Sequence, residues 1–555
     1  MSRNAEEAPV ISTPKGKVRG ILRTTIYDDS YFSFEGIPFG KPPLGELRFC
    51  SPQPADPWTG IRDCSSAKYK PMQRNQSKQR IEGSEDCLYL NIYAKTLVSE
   101  RTLPVMVWIY GGRFCMGDCS RDCYGPDYFM QQDIILVTFN YRVCSLGFLS
   151  LADPDLHVPG NAALKDQVLA LKWIKQNISN FNGDTNNITV FGNSAGSVCV
   201  HFLATSEPCR GLFDKVILMS ATISHSFIPQ AGAAYRLAKY HGYEGENIDR
   251  HVLCYLRGLE AEKLVAHDLL TDEEKRNDYL YLFAPTVEPY EMDDCVIPRE
   301  PLEMMRTGWS NTIPMMVGGT SFEGLLLYPF LKKQPSKTAL LATDPERVLP
   351  IEVRKSHSAE ERKLMAQKII HTHFGDSQLN EQALFQHLEL FSYKIFWHSY
   401  HRTVLSRMAH ASARTFLYRF DFDSPNFNRY RRRFCGTDSV RGVAHADDLS
   451  YLFLFPESWK LSPETSEYGT IQRMIGMWTA FAKNSDPNCS EIEPTVWRPL
   501  QPDAPDMALN ISDQVEMMRL PETEKLRIWD SLYDRDDLYW PHYTNTRRCI
   551  SKERQ

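Results

Sequence analysis

The chain has 555 residues, 42% of them apolar and 24% charged, with 63 Lys and Arg against 69 Asp and Glu and a formal charge of −6 at pH 7. That balance excludes a disordered chain, and an isoelectric point near 6.2 gives no global field toward nucleic acid or an acidic membrane surface. The length suits one large domain or several small ones.

The opening residues, MSRNAEEAPVISTPKG, lack the apolar core of a secretory signal. The longest apolar runs, LPVMVWIY and DIILVTF, are too short to span a bilayer, and the closing RRCISKERQ carries no lipidation or retention signal. The expectation is a cytoplasmic chain with no membrane span, with peripheral contact with membranes or lipid droplets left open. A strand over 103–110 runs into WIYGGRFCMG, where Gly111 and Gly112 are followed by Arg113 rather than by a third glycine. Cys115, Cys119 and Cys123 recur every four residues just beyond, but no His or fourth Cys completes a metal set, so reduced thiols are expected.

Further strands are predicted over 134–140, 187–191, 215–219 and 312–317, dense in apolar and β-branched residues, as strands covered on both faces are. Between them Leu164, Val168, Leu171, Ile174 and Ile178 form one helical stripe. The strand at 187–191 runs into Gly192-Asn193-Ser194-Ala195-Gly196 and then a helix. This is G-x-S-x-G in its strand–turn–helix setting, which presents Ser194 as a nucleophile at a helix N-terminus. A nucleophilic serine needs a base and an orienting acid, in the chain order Ser, Asp or Glu, His. Glu323, just after the 312–317 strand, is one candidate acid; Glu288, Glu291, Asp293 and Asp294 compete. His445 in GVAHADDLSYLF is the best-placed base, and spacing alone leaves His398, His401 and His410 open.

Residues 331–403 read as a helix-rich, charged insertion able to form a lid or pocket wall. His371 and His373 within it form H-x-H with no carboxylate pattern, and a surface position is expected. Arg429-Tyr430-Arg431-Arg432-Arg433 is expected as a solvated loop rather than a nucleic-acid patch. Ile471, Met474, Ile475, Trp478 and Phe481 form a second helical stripe, and Leu526, Trp529 and Tyr533 suggest a closing helix. Strands alternating with helices predict an α/β fold, a large mostly parallel sheet with helices on both faces. The expected organisation is a tail over 1–15, a single domain over 16–545 and a tail over 546–555.

The motifs YFSFEGIPFGKPPLGELRF, SEDCLYLNIYA, NYRVCSLGFLS, PGNAALKDQ, FGNSAG, GGTSFEG and GVAHADDLSYLF together resemble the type-B carboxylesterases, the cholinesterase-like branch of the α/β-hydrolases, and most resemble insect α-esterases. The resemblance runs from about Gly16 to Tyr533. It implies an α/β-hydrolase fold with a helical cap, Ser194 as nucleophile, Glu323 as acid, His445 as base, and an oxyanion hole made by the backbone N–H groups of Gly112, Arg113 and Ala195. It implies two-step acyl transfer on small or medium carboxylic esters, organophosphates as covalent inhibitors, and no metal or organic cofactor. It also implies a disulfide between Cys64 and Cys87, which sits awkwardly with a reducing compartment.

The chain departs from the family pattern twice at one site. Arg113 replaces a glycine of the oxyanion loop, and Asn193 replaces the glutamate that usually precedes the serine. Arg113 keeps its backbone N–H. Three readings follow for its side chain: obstruction of the acyl space, pairing with an acid such as Asp118, or a gained preference for anionic groups. The alternative to a retuned esterase is a nearly inactive homologue that sequesters esters or organophosphates. A third class, the extracellular adhesion proteins of this fold, is disfavoured by the retained triad.

Overall fold

The computed structural model describes residues 8–75, 80–224, 232–266, 269–276, 282–436 and 439–533. Its frame is one eleven-stranded sheet. In chain order the strands are β1 (Ile21–Thr24), β2 (Ser30–Pro38), β3 (Tyr89–Ala94), β4 (Leu103–Ile109), β5 (Ile135–Phe139), β6 (Gly183–Asn193), β7 (Lys215–Met219), β8 (Met315–Thr320), β9 (Thr415–Phe420), β10 (Met507–Ile511) and β11 (Val515–Arg519). Across the sheet they lie β11-β10-β9-β8-β7-β6-β4-β5-β3-β2-β1. The seven from β10 to β5 run parallel, and the antiparallel pairs sit at the two edges.

The central strands are buried on both faces. All five residues of β5 and of β7 and all six of β8 are buried. Each large apolar side chain so removed from water contributes roughly 1.5–3 kcal/mol. Long helices cover the sheet, α1 (Ala162–Asn177), α2 (Ala195–Thr205), α3 (His398–His410) and α5 (Ser466–Asn484), and a short one, α4 (Arg429–Cys435), packs against the turn at Glu323–Leu327. On α1 and α5 the two predicted stripes point inward: Leu164, Leu171, Ile174, Ile471, Met474, Ile475, Trp478 and Phe481 are all fully buried. Among the described residues no helix is long and apolar enough to cross a membrane.

Several boundaries move. The expected tail over 1–15 contains a strand, Val10–Thr13, which pairs antiparallel with Gly16–Arg19 in a small separate sheet. The strand expected at 312–317 begins at Met315, because Trp309–Thr312 closes a 3₁₀ turn in which Thr312 Oγ1 donates to Trp309 O at 2.8 Å. The closing helix ends at Asp530, with Tyr533 in a 3₁₀ turn. The 546–555 tail and the end of the domain lie outside the described residues. Residues 331–403 are mostly helical.

Two surface readings are corrected. Residues Arg429–Cys435 are a helix, not a loop, and Arg431 is buried because its guanidinium donates to the carbonyls of Val440, Ser424 and Pro425. His373 is also buried. Its Nδ1 lies 3.2 Å from Glu389 Oε2, and its Nε2 accepts from Trp529 Nε1 at 3.0 Å. The disulfide implied by the resemblance is not formed. Cys64 and Cys87 are buried thiols, and burial pushes the first up to about 12 and the second well above its ordinary value.

Candidate active site

The elbow forms where β6 hands over to α2. Ser194 sits at φ 58°, ψ −128°, anchored by its N–H to Met219 O at 2.8 Å while its own carbonyl accepts from Val198 N at 3.1 Å. A non-glycine residue there costs on the order of 1–3 kcal/mol, sustained by the surrounding sheet. The flanking glycines are required by space: a Cβ on Gly196 would lie 2.1 Å from Ile109 O, and one on Gly192 2.7 Å from the same carbonyl. Ser194 is half-buried at the N-terminus of α2.

The candidate acid, Glu323, stands just beyond the end of β8. Glu323 is fully buried, and its two carboxylate oxygens have different tasks. Oε1 accepts from Thr320 N at 2.9 Å and from the Tyr400 hydroxyl at 2.8 Å. Oε2 meets His445 Nδ1 at 2.6 Å. Gly319 makes room for this arrangement, since a Cβ there would come within 2.3 Å of Oε1.

The candidate base, His445, is held from two sides. The loop that carries His445 is tied down by Asp447, whose carboxylate accepts from the N–H groups of Ala444, Tyr430 and Arg431 at 2.8 to 3.0 Å. From the insertion, the Phe396 ring lies 4.8 Å from the imidazole centroid. Ser194 and His445 line one cavity of about 1650 Å³, with no hydrogen bond between them before substrate binds. Catalytic contacts of this kind often close only around substrate. Four of the competing residues are engaged elsewhere: His398 and His401 both bond Asp530, at 3.1 and 2.9 Å, and Glu288 pairs with Lys165 at 3.1 Å, as does Asp294. Glu291 and Asp293 are exposed.

The oxyanion loop wraps the elbow. A Cβ on Gly111 would lie 2.5 Å from Asn193 O, so the two backbones touch. Gly112 has φ 123°, and a Cβ there would fall 2.0 Å from Met116 O. Arg113 and Phe114 both keep positive φ, 60° and 58°. The loop therefore holds its left-handed turn with an arginine in it. Gly112, Arg113 and Ala195 all line the cavity, and the N–H groups of Gly112 and Ala195 donate to no group among the described residues. The Arg113 side chain is exposed. The buried carboxylate of Asp118 faces Lys70 Nζ at 3.5 Å and accepts from Ser120 N at 3.0 Å. Asn193 is 3% exposed, and its Nδ2 has no hydrogen-bond partner among the described residues.

The structure adds residues that the sequence reading missed. Tyr400, on α3, supports Glu323, and the Ser392 hydroxyl of the insertion accepts from Gly324 N at 2.8 Å. Asp448 is fully buried, with Oδ2 accepting from the Tyr418 hydroxyl at 3.2 Å. Burial first, and the Glu323 carboxylate second, push its pKa up to about 7, against the pull of His445. Its position three residues after His445 in the quoted motif was the only available signal. Among the described residues no group of three or more His, Cys, Asp or Glu is arranged to hold a metal ion. The Cys123 thiol instead donates to Asp118, at 3.5 Å.

The model of the Carboxylesterase family matches residues 7–529. The chain is 38% identical to Esterase B1 of Culex pipiens over 96% of its own length and 99% of that protein. It is 33% identical to a juvenile hormone esterase of Tribolium castaneum, over 86% of this chain and 84% of that one. Among solved structures it resembles juvenile hormone esterase from Manduca sexta, crystallised with OTFP covalently attached. The TM-score is 0.82 at 27% identity, covering 95% of this chain and all of that one.

Proposed function

Because the chain belongs to the carboxylesterase family and is a serine carboxylesterase of the α/β-hydrolase fold, we propose that Ser194, His445 and Glu323 carry its reaction. The observation that carries this reading is the 2.6 Å contact between His445 Nδ1 and a fully buried Glu323, with His445 lining the same cavity as Ser194. His445 Nε2 takes the Ser194 proton as Oγ attacks the ester carbonyl. Glu323 keeps Nδ1 protonated and offsets the charge of the imidazolium that forms. The tetrahedral oxyanion is received by the N–H groups of Gly112, Arg113 and Ala195. The alcohol departs with the proton from His445, and water repeats the sequence on the acyl-enzyme. The substrates proposed are small or medium carboxylic esters, of lipid or xenobiotic origin.

Arg113 retunes or weakens this chemistry through its side chain rather than by removing a donor. The reading is supported by its positive φ, which keeps the backbone on the path that glycine takes. The test is hydrolysis of short naphthyl or nitrophenyl esters by the wild type and by Ser194→Ala. A Ser194-dependent rate is expected, and equal rates for the two proteins would sink the reading.

The second reading, a homologue that sequesters esters or organophosphates with little turnover, is favoured by the arginine in the oxyanion loop. An organophosphate adduct at Ser194 by mass spectrometry, without ester turnover, would select it. A reducing, cytoplasmic setting is proposed as well, supported by the free state of the described cysteines, and fractionation of cells tests it.

A further inference from the structure

Resting on the esterase reading, we infer that the ester consumed here carries an anionic group, a carboxylate or a phosphate, on an arm away from the reacting carbonyl. The whole chain has more acidic than basic residues, 69 against 63. The cavity reverses this. Among its described lining residues, lysine and arginine outnumber aspartate and glutamate ten to four.

The cations come from unrelated stretches of sequence. Lys337 and Arg347 belong to the insertion, Lys394 to its π-helical segment Ser392–Trp397, and Arg432 and Arg433 to α4. Arg113 joins them from the oxyanion loop. Three of the four lining carboxylates are taken by two partners: Glu82 and Asp118 both face Lys70, at 3.1 and 3.5 Å, and Glu457 pairs with Arg429 at 3.1 Å. Asp122 is the fourth, and Arg347 is paired from outside the lining by Asp344 at 3.1 Å, whereas Lys337 makes no ion pair among the described residues. Lys394 is 8% exposed, its Nζ donating to Arg347 O at 2.6 Å. A concave, low-dielectric site in which one sign of charge predominates focuses its field on an incoming ion.

Two further observations fit the same ligand. The residue beside the nucleophile is a neutral Asn193, buried, lining the cavity, with an unpartnered N–H group to offer an acceptor. Leu326, Phe330, Leu341, Leu390 and Phe396 line the same space, so the ester also has an apolar body. The combination describes an anionic amphiphile, the carbonyl at Ser194 and the charge among the cations.

The test compares p-nitrophenyl hexanoate with mono-p-nitrophenyl adipate, which differs by a terminal carboxylate. A third ester ending in a phosphate separates the two anions. At about 0.02 M salt the favoured anionic ester should exceed the neutral one in kcat/KM by about tenfold, through KM, and the excess should shrink toward unity by about 0.5 M salt. Lys337→Glu and Arg432→Glu should each lower the ratio several-fold. A neutral ester cleaved at least as well as both anionic ones, in a Ser194-dependent way, overturns the anion inference and leaves the esterase standing. Loss of Ser194-dependent cleavage of every ester overturns the esterase reading. The anion inference is then decided by calorimetric binding of monomethyl adipate and methyl hexanoate to Ser194→Ala, where equal affinities overturn it.

Discussion

Glu323→Gln should nearly abolish turnover while leaving the fold intact, and the structure says why. Oε1 accepts two donors, Thr320 N–H and Tyr400 O–H, and Oε2 accepts one, His445 Nδ1–H. A glutamine in the same place has one carbonyl oxygen and one NH₂. Turning the NH₂ toward Thr320 and Tyr400 sets it against two donors, so the oxygen stays there and the NH₂ faces Nδ1. The imidazole must then accept at Nδ1 and carry its proton on Nε2, the wrong tautomer for deprotonating Ser194. A wrong-tautomer change of this kind lowers kcat by about 10⁴, or roughly 5.5 kcal/mol of barrier. Steady-state hydrolysis of a nitrophenyl ester between pH 6 and 9, with far-UV circular dichroism as the control for folding, measures it. A glutamine variant within tenfold of the wild type at every pH would refute the assigned pairing of Glu323 and His445.

Gly112→Ala should lower kcat by about 10²–10³, because a Cβ 2.0 Å from Met116 O displaces an oxyanion donor; unchanged kcat on the same ester would place the oxyanion elsewhere. Arg113→Gly should raise turnover of neutral esters and, by relieving a φ of 60°, add about 1 kcal/mol of stability; slower turnover would show that the arginine does not hinder the site. Asp448 gives a pH prediction. Its carboxyl stays neutral in the folded protein up to about pH 7 and ionises near 3.8 when unfolded, so the folded state holds the extra proton in between. Stability from this group is present below the unfolded value and is lost as pH rises toward 7, by up to about 4 kcal/mol. Asp448→Asn keeps an acceptor for Tyr418 and has nothing to ionise, so it should gain on the wild type in urea midpoint between pH 5 and 8. A difference between the two proteins that is constant with pH would contradict the buried neutral acid.

The parts of this molecule that sequence reveals are the local ones. Residues 187–196 hold strand, turn and helix in ten positions, and both glycines answer to carbonyls that any such elbow would bring close. The central strands were legible because both faces are buried, which leaves unbroken apolar runs. Glu323 and His445 are another matter. They stand 122 residues apart, and spacing alone left four acids and three histidines in competition. Only the family motifs chose among them, and the structure brings those two side chains together. Tyr400 could not be read at all, since its task is defined by a contact across 77 positions. His373 and Arg431 were misread for the same reason. Their partners, Trp529 and Glu389 for one and three carbonyls for the other, are remote or carried by the backbone, and no pattern of charges marks them.

The insertion does more than roof the cavity. A Cβ on Gly324 would lie 1.8 Å from Leu388 O, and Ser392, Phe396 and Tyr400 reach Gly324, His445 and Glu323 in turn. For protein engineering this rules out treating the cap as a cassette. Exchanging it for that of a relative, to import a new substrate range, also exchanges the scaffold that aims the proposed triad. A chimera that carries only the cavity-facing residues would recognise its new ester and turn it over poorly. Grafts should begin from recipients that already share the Ser392 and Tyr400 contacts, or bring them along.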